Sequence, residues 1–71
     1  MKPSQVKTGK VYHTVNGGTF KVVGEDKKYD VVFLRQMGRE MFGGYYPLNR
    51  HGWALSMKRG AFAKIVTWIA S

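Results

Sequence analysis

Few side chains in the sequence could take part in catalysis, and those few are poorly grouped for it. Three of the four carboxylates, Glu25, Asp26 and Asp30, crowd into one segment, and neighbouring carboxylates can divide acid and base roles between them. Lys27 and Lys28 lie within the same segment, which favours a solvated charged turn instead. The chain has no cysteine to act as a thiol nucleophile, and its serines lie outside any Gly-x-Ser-x-Gly elbow. We therefore predict that the protein is not an enzyme.

The histidines are too few to bind a structural metal on their own. Zinc in such sites takes about four Cys or His ligands, and the chain offers only His13 and His51. Gly9 and Lys10 lack the upstream glycine of a phosphate-binding loop. The sequence therefore predicts no metal and no cofactor. His51, next to Arg50, is expected to contact solvent and could join a binding surface.

Two groups of residues mix cations with aromatic rings. One contains Lys10, Tyr12 and Lys21, and the other lies between residues 45 and 59. Lys and Arg neutralise phosphates, and exposed rings stack on unpaired bases. The same residue types also anchor protein interfaces. The candidate partner-binding residues are Lys7, Lys10, Tyr12, Lys21, Arg35, Arg39, Tyr45, Tyr46, Arg50, His51, Lys58 and Arg59.

The net charge of +8 is the strongest compositional signal. Twelve Lys and Arg face four Asp and Glu, and all the acids lie between residues 25 and 40, so both ends of the chain are purely basic. A field of this sign attracts polyanions. Solubility alone is the alternative explanation, because small domains commonly carry a net charge of about 2–8. We interpret the charge as a sign that the partner is an acidic protein surface or a nucleic acid.

The chain length of 71 residues predicts a single basic domain over residues 1–71, with a flexible N-terminus over residues 1–8. Without disulfides or zinc, the core must come from packing alone. The sequence begins without the apolar run of a signal peptide, and its most apolar stretch, residues 61–70, is too short to span a bilayer. We therefore expect a cytoplasmic monomer that does not enter a membrane.

Regularly spaced glycines and short segments rich in Val, Tyr, Phe and Thr are typical of short strands joined by turns. Residues 10–15 and 19–23 are predicted to form a hairpin, because Asn16-Gly17 is a strong turn signal. A two-residue turn would pair odd positions of the first strand with even positions of the second. The predicted core face then contains Val11, His13, Val15, Phe20 and Val22, and the predicted outer face contains Lys10, Tyr12, Thr14, Thr19, Lys21 and Val23.

The remaining elements are predicted from the same signals. Residues 29–34 are predicted to form a third strand and residues 35–44 a loop, in which Met37, Met41 and Phe42 could repack against a partner. The next elements are an extended segment at 45–47, a turn at 48–52, a short strand at 53–57 and a tight turn at 58–60. The last element, residues 61–69, fits either a helix or a strand, and its β-branched run favours the strand. These elements predict a mainly β fold, a small antiparallel barrel of about five short strands with a C-terminal helix as the alternative ending.

The segment from Val6 to Tyr12, followed by the hairpin and its return strand, resembles the start of SH3-like barrels. Small barrels of that kind occur in transcription, translation and chromatin factors. In size, charge and lack of catalytic motifs, the chain also resembles the small viral proteins that bacteriophages use to redirect host transcription by binding RNA polymerase. That resemblance implies that the basic hairpin face, with Arg35, Arg39 and Arg50, docks on an acidic polymerase surface. A barrel that binds single-stranded DNA or RNA is the second hypothesis, and an enzyme or enzyme subunit is the third.

Overall fold

The structure is a computed structural model that describes residues 1–15, 17–39, 44–47 and 55–70. The backbone alone is described for residues 39 and 45–47. In chain order, the elements are a 3-10 helix Pro3–Gln5, β1 Val11–Thr14, β2 Thr19–Asp26, β3 Val31–Arg39, β4 Tyr45–Pro47, β5 Leu55–Lys58, α1 Arg59–Ile65 and β6 Val66–Ile69.

The strands form one curled antiparallel sheet. Strand β1 pairs with β2 on one side and with β6 on the other, while β3 pairs with β2 and β5. Five strands in the order β5-β3-β2-β1-β6 thus make a half-barrel, and β4 pairs with the end of β3. The predicted mainly β fold is confirmed, and the half-barrel is consistent with an SH3-like barrel.

The turn between β1 and β2 differs from the predicted two-residue turn. The Thr14 amide donates to the Gly18 carbonyl at 2.9 Å, and the Gly17 amide donates to the Thr14 carbonyl at 3.0 Å. Three positions therefore lie between Thr14 and Gly18, and Gly17 has a φ of 81° that suits glycine at the end of such a turn. The odd number of connecting residues makes Tyr12 pair with Phe20.

This change of register reverses the predicted faces of β1, because a one-residue shift moves every side chain of a strand to the other side. Val11, which was predicted to be in the core, is nevertheless buried, with 4% of its surface exposed. Tyr12 and Thr14 are buried on the inner side, whereas His13 lies opposite Thr19 on the outer side. The prediction that Tyr12 belongs to an exposed binding face is therefore wrong. Its hydroxyl accepts from the Lys7 amide and donates to the Gln5 carbonyl, both at 2.8 Å, so a fully buried tyrosine keeps its polar atom satisfied.

The core lies on the concave side of the half-barrel and is closed by α1. It contains Val6, Tyr12, Val22, Val32, Leu34, Phe62 and Ala63. The Phe62 ring meets the Tyr12 ring edge to face, with centroids 5.6 Å apart and planes at 87°. Val6 has no exposed surface, and so the N-terminal segment that we expected to be flexible supplies one of the core residues.

Other elements also differ from the predictions. Residues 35–39, predicted as a loop, continue β3, and Met37 within them is buried. The rest of that loop, residues 40–43, the predicted turn 48–52, and residues 53 and 54 lie outside the described residues. The predicted tight turn at 58–60 is wrong, because Lys58 ends β5 and α1 begins at Arg59.

The ambiguous last element contains both of the structures that its pattern allowed. The helical spacing of Phe62 and Ile65 belongs to α1, and the run from Val66 to Ile69 forms β6. The preference for a strand throughout was therefore wrong for its first half. Within the described residues, none of the helices has the length and apolar character that crossing a membrane requires.

Candidate functional site

The convex side of β6, β1, β2 and β3, here called the outer face, brings two basic side chains together. Lys21 pairs with Arg35 across β2 and β3, and Val11 on β1 lies opposite Lys21 in the same row. The neighbouring pair, Val22 and Leu34, is in the core, and alternation along the strands therefore directs Lys21 and Arg35 outward. Both were predicted site residues, and the structure places them side by side.

Two like charges in directly opposed positions weaken a sheet. Cβ atoms of such a pair lie about 4.5–5.5 Å apart, and like charges at that separation repel each other. The carboxylates with described side chains are engaged elsewhere: Glu25 and Asp30 bind Arg59, and Asp26 accepts from the Lys28 amide at 3.0 Å. Among the described residues, therefore, none neutralises the pair.

The Arg35 guanidinium has a further unmet requirement. Its Nε atom is buried and has no hydrogen-bond partner in the part of the chain that the structure describes. A buried donor on a charged group destabilises the protein when no acceptor reaches it, and most such donors in native proteins have a partner. A bound anion would reduce the repulsion between Arg35 and Lys21. It would contact the terminal nitrogens of the guanidinium, because the Nε atom is closed to solvent.

An aromatic pair lies on the same face, one row further along the strands. The Trp68 indole on β6 stacks on the His13 imidazole on β1, with ring centroids 5.1 Å apart and planes within 8° of parallel. His13 is held in place by a 2.9 Å hydrogen bond between its Nδ1 atom and Thr19 Oγ1. Trp68 is 60% exposed, so one ring face covers His13 while much of the rest contacts solvent.

The two features are close enough to contact one extended ligand. His13 is two residues from Val11 along β1, which is about 7 Å, and adjacent strands are about 4.8 Å apart. The outer face therefore carries a cationic row next to an aromatic row. Neither His13, which was predicted to lie in the core, nor Trp68 was among the predicted site residues. The alternation of exposed and buried positions would have indicated both residues, had the hairpin register been known.

A groove borders the aromatic row along the side of β6 that faces away from β1. Its volume is about 320 Å³. Its lining consists of Met1, Gln5, Val66, Thr67, Trp68 and Ile69. None of these lining side chains is charged, but Met1 also carries the N-terminal ammonium, which donates to the Ala63 carbonyl at 3.4 Å.

Arg59, a predicted binding residue, has an internal role instead. Its Nε donates to Asp30 Oδ1 at 2.8 Å, and its other nitrogens donate to the Glu25 carboxylate and the Val6 carbonyl. Only 14% of its side chain is exposed. The guanidinium thus ties the start of α1 to the turn after β2 and to the N-terminal segment. The prediction of a solvated charged turn therefore agrees with Asp30, whose side chain is 64% exposed, but not with Glu25, whose side chain is 27% exposed.

Most of the other predicted residues lie apart from the cationic row, but Lys10 directly precedes Val11 of that row. Lys7, Lys10 and Lys58 are exposed, but Lys58 pairs with Val31 near the far end of β3 and Lys7 borders a separate cavity beside Glu25. The backbones of Arg39, Tyr45 and Tyr46 belong to the β3–β4 pairing. Arg50 and His51 lie outside the described residues.

Among the described residues, no group of three or more His, Cys, Asp or Glu side chains is placed to hold a metal ion. The expectations of no cofactor and no catalysis stay predictions. Comparison of the chain with protein-family models, with curated proteins and with solved structures gave no match. The geometry of the outer face is therefore the main basis for a functional proposal.

Proposed function

We propose that this protein is a small non-enzymatic module that binds nucleic acid through its outer face. The observation that carries the proposal is the opposed pair of Lys21 and Arg35, which none of the carboxylates with described side chains neutralises. A phosphate group has the charge and the oxygen atoms that both side chains lack. Arginine suits this contact, because its planar fork donates two parallel hydrogen bonds to phosphate.

The charge of the whole chain supports the same partner. The net charge is +8, and two of the four acids, Glu25 and Asp30, are already paired with Arg59. The field around the protein therefore draws in a polyanion from a distance. Phosphates bound by Lys and Arg release their counterions, so the affinity should fall as salt rises.

A titration with two matched double variants tests the proposal. Fluorescence anisotropy with a labelled oligothymidine of about 15 nucleotides, within the usual site size of small barrels, gives the affinity at several salt concentrations. Replacing Lys21 and Arg35 by Gln should weaken binding roughly tenfold or more. It should also flatten the log–log salt dependence by about 1.4, because two phosphate contacts are lost.

The control removes the same net charge elsewhere. Lys28 lies in the turn after β2 and Lys64 on the exposed side of α1, so a K28Q/K64Q variant also carries two fewer positive charges. It should retain most of the affinity. If both double variants lose affinity equally, the attraction is a property of the overall charge, and the assignment of the outer face is wrong.

An acidic protein surface is the second candidate, and the polymerase of a bacteriophage host is the specific hypothesis from the sequence. The observation that favours it is the exposed apolar surface at the ends of β1 and β6, where Val15 is 68%, Trp68 60% and Ile69 41% exposed. Tryptophan and arginine are common anchors of protein interfaces. Retention on immobilised RNA polymerase, together with no measurable affinity for any oligonucleotide, would favour this candidate over the first.

A further inference from the structure

The geometry points to Trp68 as a platform on which an unpaired nucleobase stacks, which would make single-stranded nucleic acid the preferred ligand. This inference rests on the proposed function, because it assigns the base of the ligand whose phosphates contact Lys21 and Arg35. It concerns residues that the sequence patterns did not indicate. It also requires the ligand to have an unpaired base, which phosphate binding alone does not require.

Within the described residues, the Trp68 ring is supported on one face, by His13. Its indole lies parallel to the His13 ring, and His13 is bonded to Thr19 on the next strand. Thr67 Oγ1 adds a hydrogen bond from β6 to the His13 carbonyl at 3.2 Å. A ring whose orientation is already fixed loses little conformational freedom when a second ring stacks on its open face, which favours binding.

The space beside Trp68 suits a flat, largely apolar ring. The groove of about 320 Å³ is bordered by Ile69, Val66 and the Gln5 side chain, and its lining contains no charged side chain. A base placed there would lie one row from the cations that hold the backbone. In a duplex, the bases are stacked and paired with each other, so they cannot occupy this position without being extruded.

A comparison of two oligonucleotides, one with bases and one without, tests the platform directly. One probe is oligothymidine, and the other is an abasic oligonucleotide of equal length, which has the same phosphates and no bases. The intact protein should bind oligothymidine roughly tenfold or more tightly than the abasic strand, because stacking on one aromatic residue contributes that much. An arm with oligo-5-methyluridine, which differs from oligothymidine only in the 2′-hydroxyl, reports whether the sugar matters, and equal affinity for these two strands would show that the sugar is not recognised.

Substitutions at Trp68 link that preference to one ring. Trp68→Ala should remove most of the difference between the two probes, and Trp68→Phe should keep part of it. The control is Tyr29→Ala, because Tyr29 is 59% exposed, almost the same as Trp68, but lies in the turn after β2 with Lys28 over its ring at 5.3 Å. That variant should keep the full preference. Thermal unfolding of each variant verifies that it is folded under the assay conditions.

The two proposals fail in different ways. If the intact protein binds both probes equally and the K21Q/R35Q variant binds neither, the platform is overturned while the proposed function stands. If Trp68→Ala keeps the full preference for oligothymidine, the platform is overturned as well. If no probe binds at low salt, both proposals are wrong.

Discussion

The Arg59 guanidinium at the start of α1 is ion-paired with the Glu25 carboxylate near the end of β2, and it bonds Asp30 and the Val6 carbonyl at the same time. These contacts join three segments that are distant in the sequence. Arg59 and Glu25 side chains are 14% and 27% exposed, so the pair lies between a surface and a buried salt bridge. The Arg59 guanidinium therefore stabilises the fold.

Arg59→Ala should lower the free energy of unfolding by about 2 kcal/mol, between the values for exposed pairs and for buried pairs that lose one partner. Arg59→Lys should recover only part of this loss, because lysine cannot contact three acceptors with a planar fork. Urea denaturation gives both values. Below the unfolding transition, the affinity of Arg59→Ala for oligothymidine should be close to that of the intact protein. A large loss of affinity in the folded variant would return Arg59 to the binding site.

Tyr12→Phe should destabilise the protein by about 1–2 kcal/mol, because the substitution leaves the Lys7 amide and the Gln5 carbonyl without their partner. Equilibrium unfolding in urea measures the change. Tyr29→Phe is the control, since that side chain is 59% exposed and its change should stay within about 0.5 kcal/mol. Equal stability of the two variants would contradict the buried position of Tyr12.

A pair of glycine substitutions tests the turn that sets the register. Neither Gly17 nor Gly60 has an atom within 4 Å of an added Cβ, but only Gly17 has a positive φ, 81°. Gly17→Ala should cost about 1 kcal/mol through the strained backbone. Gly60→Ala, inside α1, should stabilise the protein by about 0.5–1 kcal/mol through helix propensity. Changes of the same sign in thermal unfolding would contradict the turn described here.

His13 should act on the ligand through Trp68. His13→Ala removes the ring beneath the indole, and such a pair is worth about 0.5–1.5 kcal/mol, so the affinity for oligothymidine should fall roughly two- to tenfold. The affinity for the abasic strand should not change. His13→Phe keeps a ring beneath the indole and should restore the preference for bases. If His13→Phe is as impaired as His13→Ala, the imidazole contacts the ligand itself rather than positioning Trp68.

Much of the fold could be predicted from local signals. The glycine spacing and the β-branched segments indicated the strands, and the burial of Val22 agrees with the predicted core face of β2. The face of β1 could not be predicted, because two- and three-residue turns share the same Asn-Gly signal and yet give opposite faces. Tyr12 and His13 therefore exchanged their predicted roles.

The site was harder to predict than the fold, because it depends on pairing between strands. Lys21 and Arg35 were both candidates, but their direct opposition follows from the β2–β3 register, which includes a bulge between Val22 and Gly24. The stack of Trp68 on His13 joins residues 55 positions apart, 68 minus 13, which no local pattern indicates. Arg59 was predicted to bind a partner because of its residue type. Its ion pair with Glu25, which shows that it stabilises the fold, could not be predicted from the sequence.

The measurement that tests the central claim most directly is a nuclear magnetic resonance titration of ¹⁵N-labelled protein with oligothymidine, following the backbone amides and the Arg35 Nε–H signal. We expect this signal to shift as phosphate binds the terminal nitrogens of the same guanidinium, together with the backbone amide signals of Lys21, His13 and Trp68 on the outer face. The backbone amide signals of α1, on the concave side, should keep their chemical shifts. An Arg35 Nε–H signal that does not move while oligothymidine binds elsewhere would contradict it.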